Sequence, residues 1–222
     1  MKHNHLKKIQ HPIIQYVDQY LYWLIGKRLF DSIVASLVLL VLALPMSIIA
    51  LAIWITSGTP ILFQQKRVGR NGKIFSIKKF RTMVVRSEVV STITLHGDPR
   101  ITPIGVHLRR WKLDELPQFW NVLVGQMSLI GPRPDVPGYA DKLQGEQSRL
   151  LCLRPGITGP ATLIYKNEAE ILAQVSNPIE YNDQVIFPDK VRINLEYLED
   201  CSFSQDLYYI WLTMKQIFLI TT

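Results

Sequence analysis

Cysteine is scarce in this 222-residue chain: Cys152 and Cys201 lie far apart, and neither has metal-ligand spacing around it. That excludes a disulfide scaffold and a cysteine-built zinc site, and it fits a reducing compartment. The five histidines form no His-Glu-x-x-His or comparable cluster, and three of them (His3, His5 and His11) crowd the N-terminal tail. No metal site rests on histidine either. Acidic residues are outnumbered, 18 against 25 lysines and arginines, for a formal net charge of +7 and a pI of about 9.4. Such a surface favours acidic partners: anionic lipid, nucleotides or nucleic acid. Nucleic acid is disfavoured in turn, because the chain has no helix-turn-helix, zinc-finger or RNP-type aromatic pattern. With no repeats or low-complexity segments, the length suits one domain with a substantial core plus one membrane element.

That element is the apolar run over residues 33–55, which carries no charge and only two polar hydroxyls, Ser36 and Ser47. A straight helix of this length reaches about 35 Å, enough for a hydrocarbon core of about 30 Å. Two features argue against a simple span. Pro45, at the midpoint, removes a backbone donor and clashes with the preceding turn. Both flanks are also basic, with Lys27 and Arg28 before the run and Lys66, Arg67, Arg70 and Lys73 after it, whereas a span puts only one end on the cytoplasmic side. A helix that enters, breaks at Pro45 and returns satisfies both ends, and Ser47 is placed to back-bond to a freed carbonyl. The re-entrant form is therefore favoured over the span. A cleaved signal peptide is disfavoured by the length of the run and its distance from Met1. Ahead of the run, residues 13–25 are rich in tyrosine and tryptophan and read as an interfacial segment.

After Gly58-Thr59-Pro60 the pattern changes. Short apolar runs at 61–63 and 74–77 flank Asn71-Gly72, which predicts a β-hairpin. Residues 84–98 read as a loop or short helix, and 104–124 as helical segments interrupted near Pro117. Gly131-Pro132-Arg133-Pro134 is a rigid turn. Helices are expected at 139–151, 168–175, 189–199 and 207–220, the last amphipathic and rich in aromatics. The fold class is α/β: a single compact, mostly helical domain over 61–222 with a small β-hairpin, on an N-terminal re-entrant (helix-break-helix) membrane element within 1–60.

Asp114 and Glu115 are adjacent, so on a helix they point about 100° apart. That does not suit a glycosidase pair, whose carboxyls flank the substrate. It suits one carboxylate that reacts while its neighbour holds a cation. Pro117 is most comfortable in the first turn of a helix, which puts Asp114 near an N-cap, where the dipole favours the ionised carboxylate and attracts phosphate. Four basic sets, Lys79-Phe80-Arg81, Arg109-Arg110, Arg133 and Arg154, recur beside glycine and proline turns. Arginine offers bidentate contacts to phosphate oxygens. Phosphoryl transfer needs charge neutralisation, and this inventory supplies it together with Mg²⁺.

Several strings make the pattern specific: Lys27-Arg28-Leu29-Phe30-Asp31, Phe63-Gln64-Gln65-Lys66-Arg67-Val68-Gly69, Lys79-Phe80-Arg81-Thr82-Met83 and Asp98-Pro99-Arg100-Ile101-Thr102. Then follow Leu113-Asp114-Glu115-Leu116-Pro117-Gln118, Met127-Ser128-Leu129-Ile130-Gly131-Pro132-Arg133-Pro134 and Arg154-Pro155-Gly156-Ile157-Thr158-Gly159. In order and content the chain resembles a bacterial sugar transferase of the monotopic phosphoglycosyl transferase family. The resemblance implies a two-step exchange at the cytoplasmic face of the bacterial inner membrane, with anionic headgroups around the membrane element. The residue matching Asp114 attacks the sugar-proximal phosphate of a nucleotide diphosphate sugar, usually a UDP-sugar, and UMP leaves. A polyprenol phosphate (undecaprenyl phosphate) then accepts the sugar phosphate from the aspartyl enzyme, which begins a glycoconjugate. The resemblance also implies that Asp114 and Glu115 hold Mg²⁺, and that Lys79, Arg81, Arg109, Arg133, Arg154, Lys166 and Asp206 bind substrate or support the site. The family's membrane element is itself a re-entrant helix broken at proline, in line with Pro45.

The chain departs from the family at Thr162, where glutamine is usual, at Lys166, where arginine is usual, and at Asn194, which is often acidic. These lie outside the nucleophile motif and bear on sugar specificity more than on activity. The sugar, the glycan pathway (capsule, lipopolysaccharide or exopolysaccharide) and any homo-oligomeric state stay open. The competing reading is a non-catalytic basic membrane adaptor that binds anionic lipid or nucleotide and has no need of Asp114.

Overall fold

The computed structural model describes residues 22–84 and 98–219. Most of the expected interfacial segment at 13–25, and nearly all of the loop expected at 84–98, lie outside the described residues. Helices α1 (Lys27–Val41) and α2 (Ala43–Ser57) are bent by 61° at their junction. Among the described residues no single helix is long and apolar enough to cross a membrane, but this bent pair passes on length and composition together. The break falls at Leu42 (φ −92°, ψ 6°), three residues before Pro45 rather than at it. The proline has no N–H for the Val41 carbonyl and its ring clashes there, so the helix stops one turn early. Pro45 then sits in the first turn of α2, where a missing donor costs little. Ser47 Oγ does back-bond, donating to the Ala43 carbonyl at 2.8 Å, although the carbonyl that Pro45 frees is that of Val41.

Along this pair the apolar side chains face outward: Leu40 is 75% and Leu44 71% exposed, with Ile48 and Ile55 similar. The two ends, by contrast, are built into the domain. On α1, Arg28 donates to the Val122 and Leu123 carbonyls at 2.6 and 2.7 Å. Asp31 accepts from the Leu129 amide at 3.1 Å, and Ala35 is fully buried. On α2, Ile53 is fully buried against Phe80 and Leu108, a burial worth about 1.5–3 kcal/mol.

Strands β1 (Leu62–Val68) and β2 (Ile74–Phe80) form the expected antiparallel hairpin, in register from Leu62↔Phe80 to Val68↔Ile74. Asn71 and Gly72 take the left-handed conformation that its turn demands, with φ of 56° and 72°. Next come α3 (Pro103–Arg110), capped by the Thr102 hydroxyl, which accepts from the Gly105 amide, and the short α4 (Gln118–Leu123). A parallel pair that the sequence reading missed then forms between β3 (Ser128–Ile130) and β4 (Gly156–Thr158). Its crossing depends on glycine. A Cβ on Gly131 would lie 2.3 Å from the Arg154 carbonyl oxygen, and one on Gly156 2.2 Å from the Gly131 amide nitrogen.

The helix expected at 139–151 is instead two 3-10 segments, Ala140–Lys142 and Gly145–Cys152, parted where Gly145 takes a φ of 57°. Short helices α5 (Pro160–Ile164), α6 (Glu168–Ala173) and α7 (Pro178–Tyr181) follow, then α8 (Phe187–Asp200) and α9 (Phe203–Leu219). The main core joins Phe75, Met127, Ile130, Leu153, Val191 and Tyr197. Along α9, Phe203, Leu207, Trp211 and Met214 stay exposed. Phe203 also sets its ring edge-on to Phe30 of α1, 5.2 Å between centroids.

Candidate active site

Asp114 and Glu115 do not begin a helix. They occupy a separate 3-10 turn, Leu113–Glu115, introduced by Lys112 in the left-handed region (φ 57°). Helix α4 starts only at Gln118, with Pro117 in the capping position, so the expected dipole at Asp114 is replaced by side-chain charge. Pro117 enters as the cap rather than inside the first turn, and the two acids fall on the turn before it.

Five of the expected residues come together here. Glu115 Oε1 accepts from Lys79 Nζ at 2.6 Å and from Arg133 Nη2 at 3.3 Å. Lys79 reaches it from β2 and Arg133 from the Gly-Pro-Arg-Pro turn. Burial alone would raise the Glu115 carboxyl, but Arg133 and Lys79 outweigh it and hold the group well below the usual carboxylate range. Asp114 differs. It is 7% exposed, its Oδ1 is buried and takes no hydrogen bond, and burial followed by the neighbouring Glu115 charge pushes its carboxyl up. Lys79 and Arg109 partly offset that rise. Arg109 is itself oriented by Thr82, whose Oγ1 accepts from Nε at 3.0 Å. Two adjacent carboxylates therefore hold opposite electrostatic roles: one is neutralised by cations, the other is buried and unsatisfied.

Other expected residues lie elsewhere. Arg81, expected at the substrate, is buried and spends its guanidinium on the end of α2, donating to the carbonyls of Thr59 at 2.9 Å, Ser57 at 2.5 Å and Gly58 at 2.8 Å. It joins α2 to the hairpin. Arg154 donates to the Gly125 carbonyl at 3.0 Å. Burial pushes its guanidinium down, as do the charges of Arg70 and Arg28. Asp206 is 1% exposed and accepts from Lys27, from Tyr22 Oη at 2.6 Å and from Tyr197 Oη; it ties α9 to α1 and α8. Lys166 is exposed in the turn between α5 and α6. Of the other departures, Thr162 Oγ1 and Asn194 Oδ1 are buried without a hydrogen bond.

The sequence reading passed over a second charged group beside Arg133. Lys190 Nζ pairs with Glu168 Oε1 at 2.6 Å, and Asp135 lies within the fields of Lys190, Arg67 and Arg133. Asp135 directly follows the Gly-Pro-Arg-Pro string, and that position was the available signal.

Among the described residues no group of three or more His, Cys, Asp or Glu can hold a metal ion. Mg²⁺ does not need one. It binds through one or two carboxylates and completes its shell with water and substrate phosphate. The unpartnered Asp114 oxygen beside Glu115 fits that pattern.

The sequence model of bacterial sugar transferases matches residues 22–219. The galactosyl transferase CpsE of Streptococcus agalactiae is 36% identical over 210 residues, covering 89% of this chain and 43% of its own. The UDP-glucose:undecaprenyl-phosphate glucose-1-phosphate transferase of Escherichia coli is 36% identical over 199 residues, covering 87% and 40%. The undecaprenyl-phosphate galactose phosphotransferase of Salmonella typhimurium is 34% identical over 209 residues, covering 86% and 40%. The chain thus spans about two-fifths of the length of these relatives.

Proposed function

The chain belongs to the bacterial sugar transferase family, and from that premise we propose that it transfers a sugar 1-phosphate from a UDP-sugar to undecaprenyl phosphate through an aspartyl intermediate. One observation carries the reading: Asp114 is a buried carboxylate with an unpartnered oxygen, next to Glu115 held by Lys79 and Arg133. A nucleophile needs a free lone pair, and a phosphate electrophile needs cations around it.

In the first step an Asp114 carboxylate oxygen bonds to the sugar-proximal phosphorus. The bond from that phosphorus to the bridging oxygen breaks, and the bridging oxygen leaves with UMP. In the second, a phosphate oxygen of the polyprenol bonds to the same phosphorus and the bond to Asp114 breaks, which restores the carboxylate. Arg133 and Lys79 hold charge beside the reacting phosphate, and Arg109 approaches the Asp114 side. Asp114 and Glu115 would hold Mg²⁺, which when bound neutralises diphosphate charge. Dividing the transfer in two avoids bringing two bulky anionic substrates together at once.

The test is UMP release from a panel of UDP-sugars by the detergent-purified chain with Mg²⁺ and undecaprenyl phosphate. Release from one donor, dependent on Asp114, is the expected result. Release that persists without Asp114, or silence across the panel, would remove the reading.

The bent helix pair is proposed to enter the cytoplasmic leaflet and return, leaving the catalytic domain at the inner face of the cytoplasmic membrane. Its outward apolar side chains and the break at Leu42 support this. With the exposed Cys152 replaced by serine, single cysteines at positions 25 and 66 should both react with an impermeant thiol reagent from the cytoplasmic side. Reaction from opposite sides would mean a span.

A further inference from the structure

The turn that carries Arg133 also carries a carboxylate that the mechanism does not use. Residue 133 precedes a proline and is driven to extended backbone, while Pro134 has its own φ fixed. Arg133 and Asp135 flank that proline in the chain. Both line a single cleft, open to solvent, with apolar Ala140, Leu150 and Leu153 also lining it. The segment is pinned. The Asp135 carbonyl accepts from the Val68 amide at 2.9 Å, and Arg67 Nη1 donates to the Pro134 carbonyl at 3.0 Å.

Among the described residues the Asp135 carboxylate is engaged only through charge. Burial pushes it up to about 6 against the opposing pull of Lys190, Arg67 and Arg133, and no hydrogen-bond donor contributes. A carboxylate is an acceptor with two oxygens, and adjacent hydroxyls of a pyranose are its natural donors.

We propose that Asp135 is a specificity-determining residue that accepts hydroxyls of the transferred sugar while Arg133 holds the adjoining phosphate. This rests on the donor reading given above. The sugar is favoured over the ribose by connectivity. Arg133 stands at Glu115, next to Asp114, so the phosphate it faces is the one attacked, and the sugar is bonded directly to that phosphate. The ribose lies one phosphate further away.

The experiment measures kcat and KM for UMP release by the full chain with its best UDP-sugar and with each monodeoxy analogue of that sugar. Wild type and Asp135→Asn are compared, with UDP as competitive inhibitor. Loss of hydrogen bonds to a charged group predicts a KM rise of about 10- to 100-fold in the variant, with kcat nearly unchanged. One deoxy analogue should cost the wild type a similar factor and cost the variant almost nothing further, while UDP inhibits both equally. The wild-type analogue series stands even if the variant folds poorly. Indifference of the wild type to every deoxy analogue would overturn the proposal, as would a variant that keeps its KM and its discrimination. A loss of UDP affinity equal to the loss of donor affinity would move the contact to ribose or diphosphate and overturn it too. Wild-type silence with every UDP-sugar would instead sink the donor reading, and this inference with it.

Discussion

Asp114→Asn should abolish UMP release, by at least about 10³-fold, while the protein melts at the same temperature as wild type or slightly higher. Both halves follow from one geometry. The Asp114 oxygen is buried and unpartnered, and burial together with Glu115 pushes its carboxyl up. A raised carboxyl means that the fold disfavours the ionised form, so an amide of the same shape relieves the fold of a buried charge. The same amide has no anionic oxygen to attack phosphorus. On the proposed mechanism Asp114 is an unsatisfied nucleophile kept at a cost in stability, and its removal should reveal that cost. Turnover in Asp114→Asn near the wild-type rate would favour the adaptor reading. A lowered melting temperature would mean that Asp114 serves the fold through a contact the geometry does not contain.

The carboxylate pair and its cations were legible in the sequence because they sit in short contiguous strings. Leu113-Asp114-Glu115 and Gly-Pro-Arg-Pro each keep their residues together, and the fold brings the two strings to one place with Lys79. The hairpin was legible for a similar reason, since Asn71-Gly72 is a local signal for a local turn. What failed was long-range or depended on a partner. Arg81, in its string, looked like a phosphate ligand, yet its carbonyl acceptors at 57–59 lie more than twenty residues earlier. Nothing in residues 128–130 and 156–158 announces a parallel pair, because three-residue strands have no period to read and are held by the close approach of Gly131 and Gly156. The break at Leu42 was displaced from Pro45 by the proline's action on the carbonyl four residues back. That direction is a property of helix geometry, and composition does not carry it.

Asp206→Ala should destabilise the protein by about 3–5 kcal/mol, and it should do so without a selective loss of donor affinity. The resemblance put Asp206 among the substrate residues, but its oxygens are fully occupied inside the fold. Lys27, at the start of α1, is paired with it and is 7% exposed; Tyr22 and Tyr197 donate to the same carboxylate. Removing the acid leaves an ammonium buried without its counter-charge and two phenols without their acceptor, which costs more than the pair itself contributes. In a chain of this size such a loss should lower the melting temperature by about 6–20 °C. The charge is the decisive part, so Lys27→Met introduced into Asp206→Ala should recover some of the loss even though it deletes a further native side chain. A purely steric defect would instead deepen with the second substitution. Thermal unfolding of the single and double variants in one detergent, with KM for the donor measured below the transition, separates the cases. An unchanged melting temperature with a raised KM would return Asp206 to the substrate. The expected outcome makes it the tie that fixes α1 to α8 and α9, and so sets how the bent helix pair sits against the face that carries Asp114.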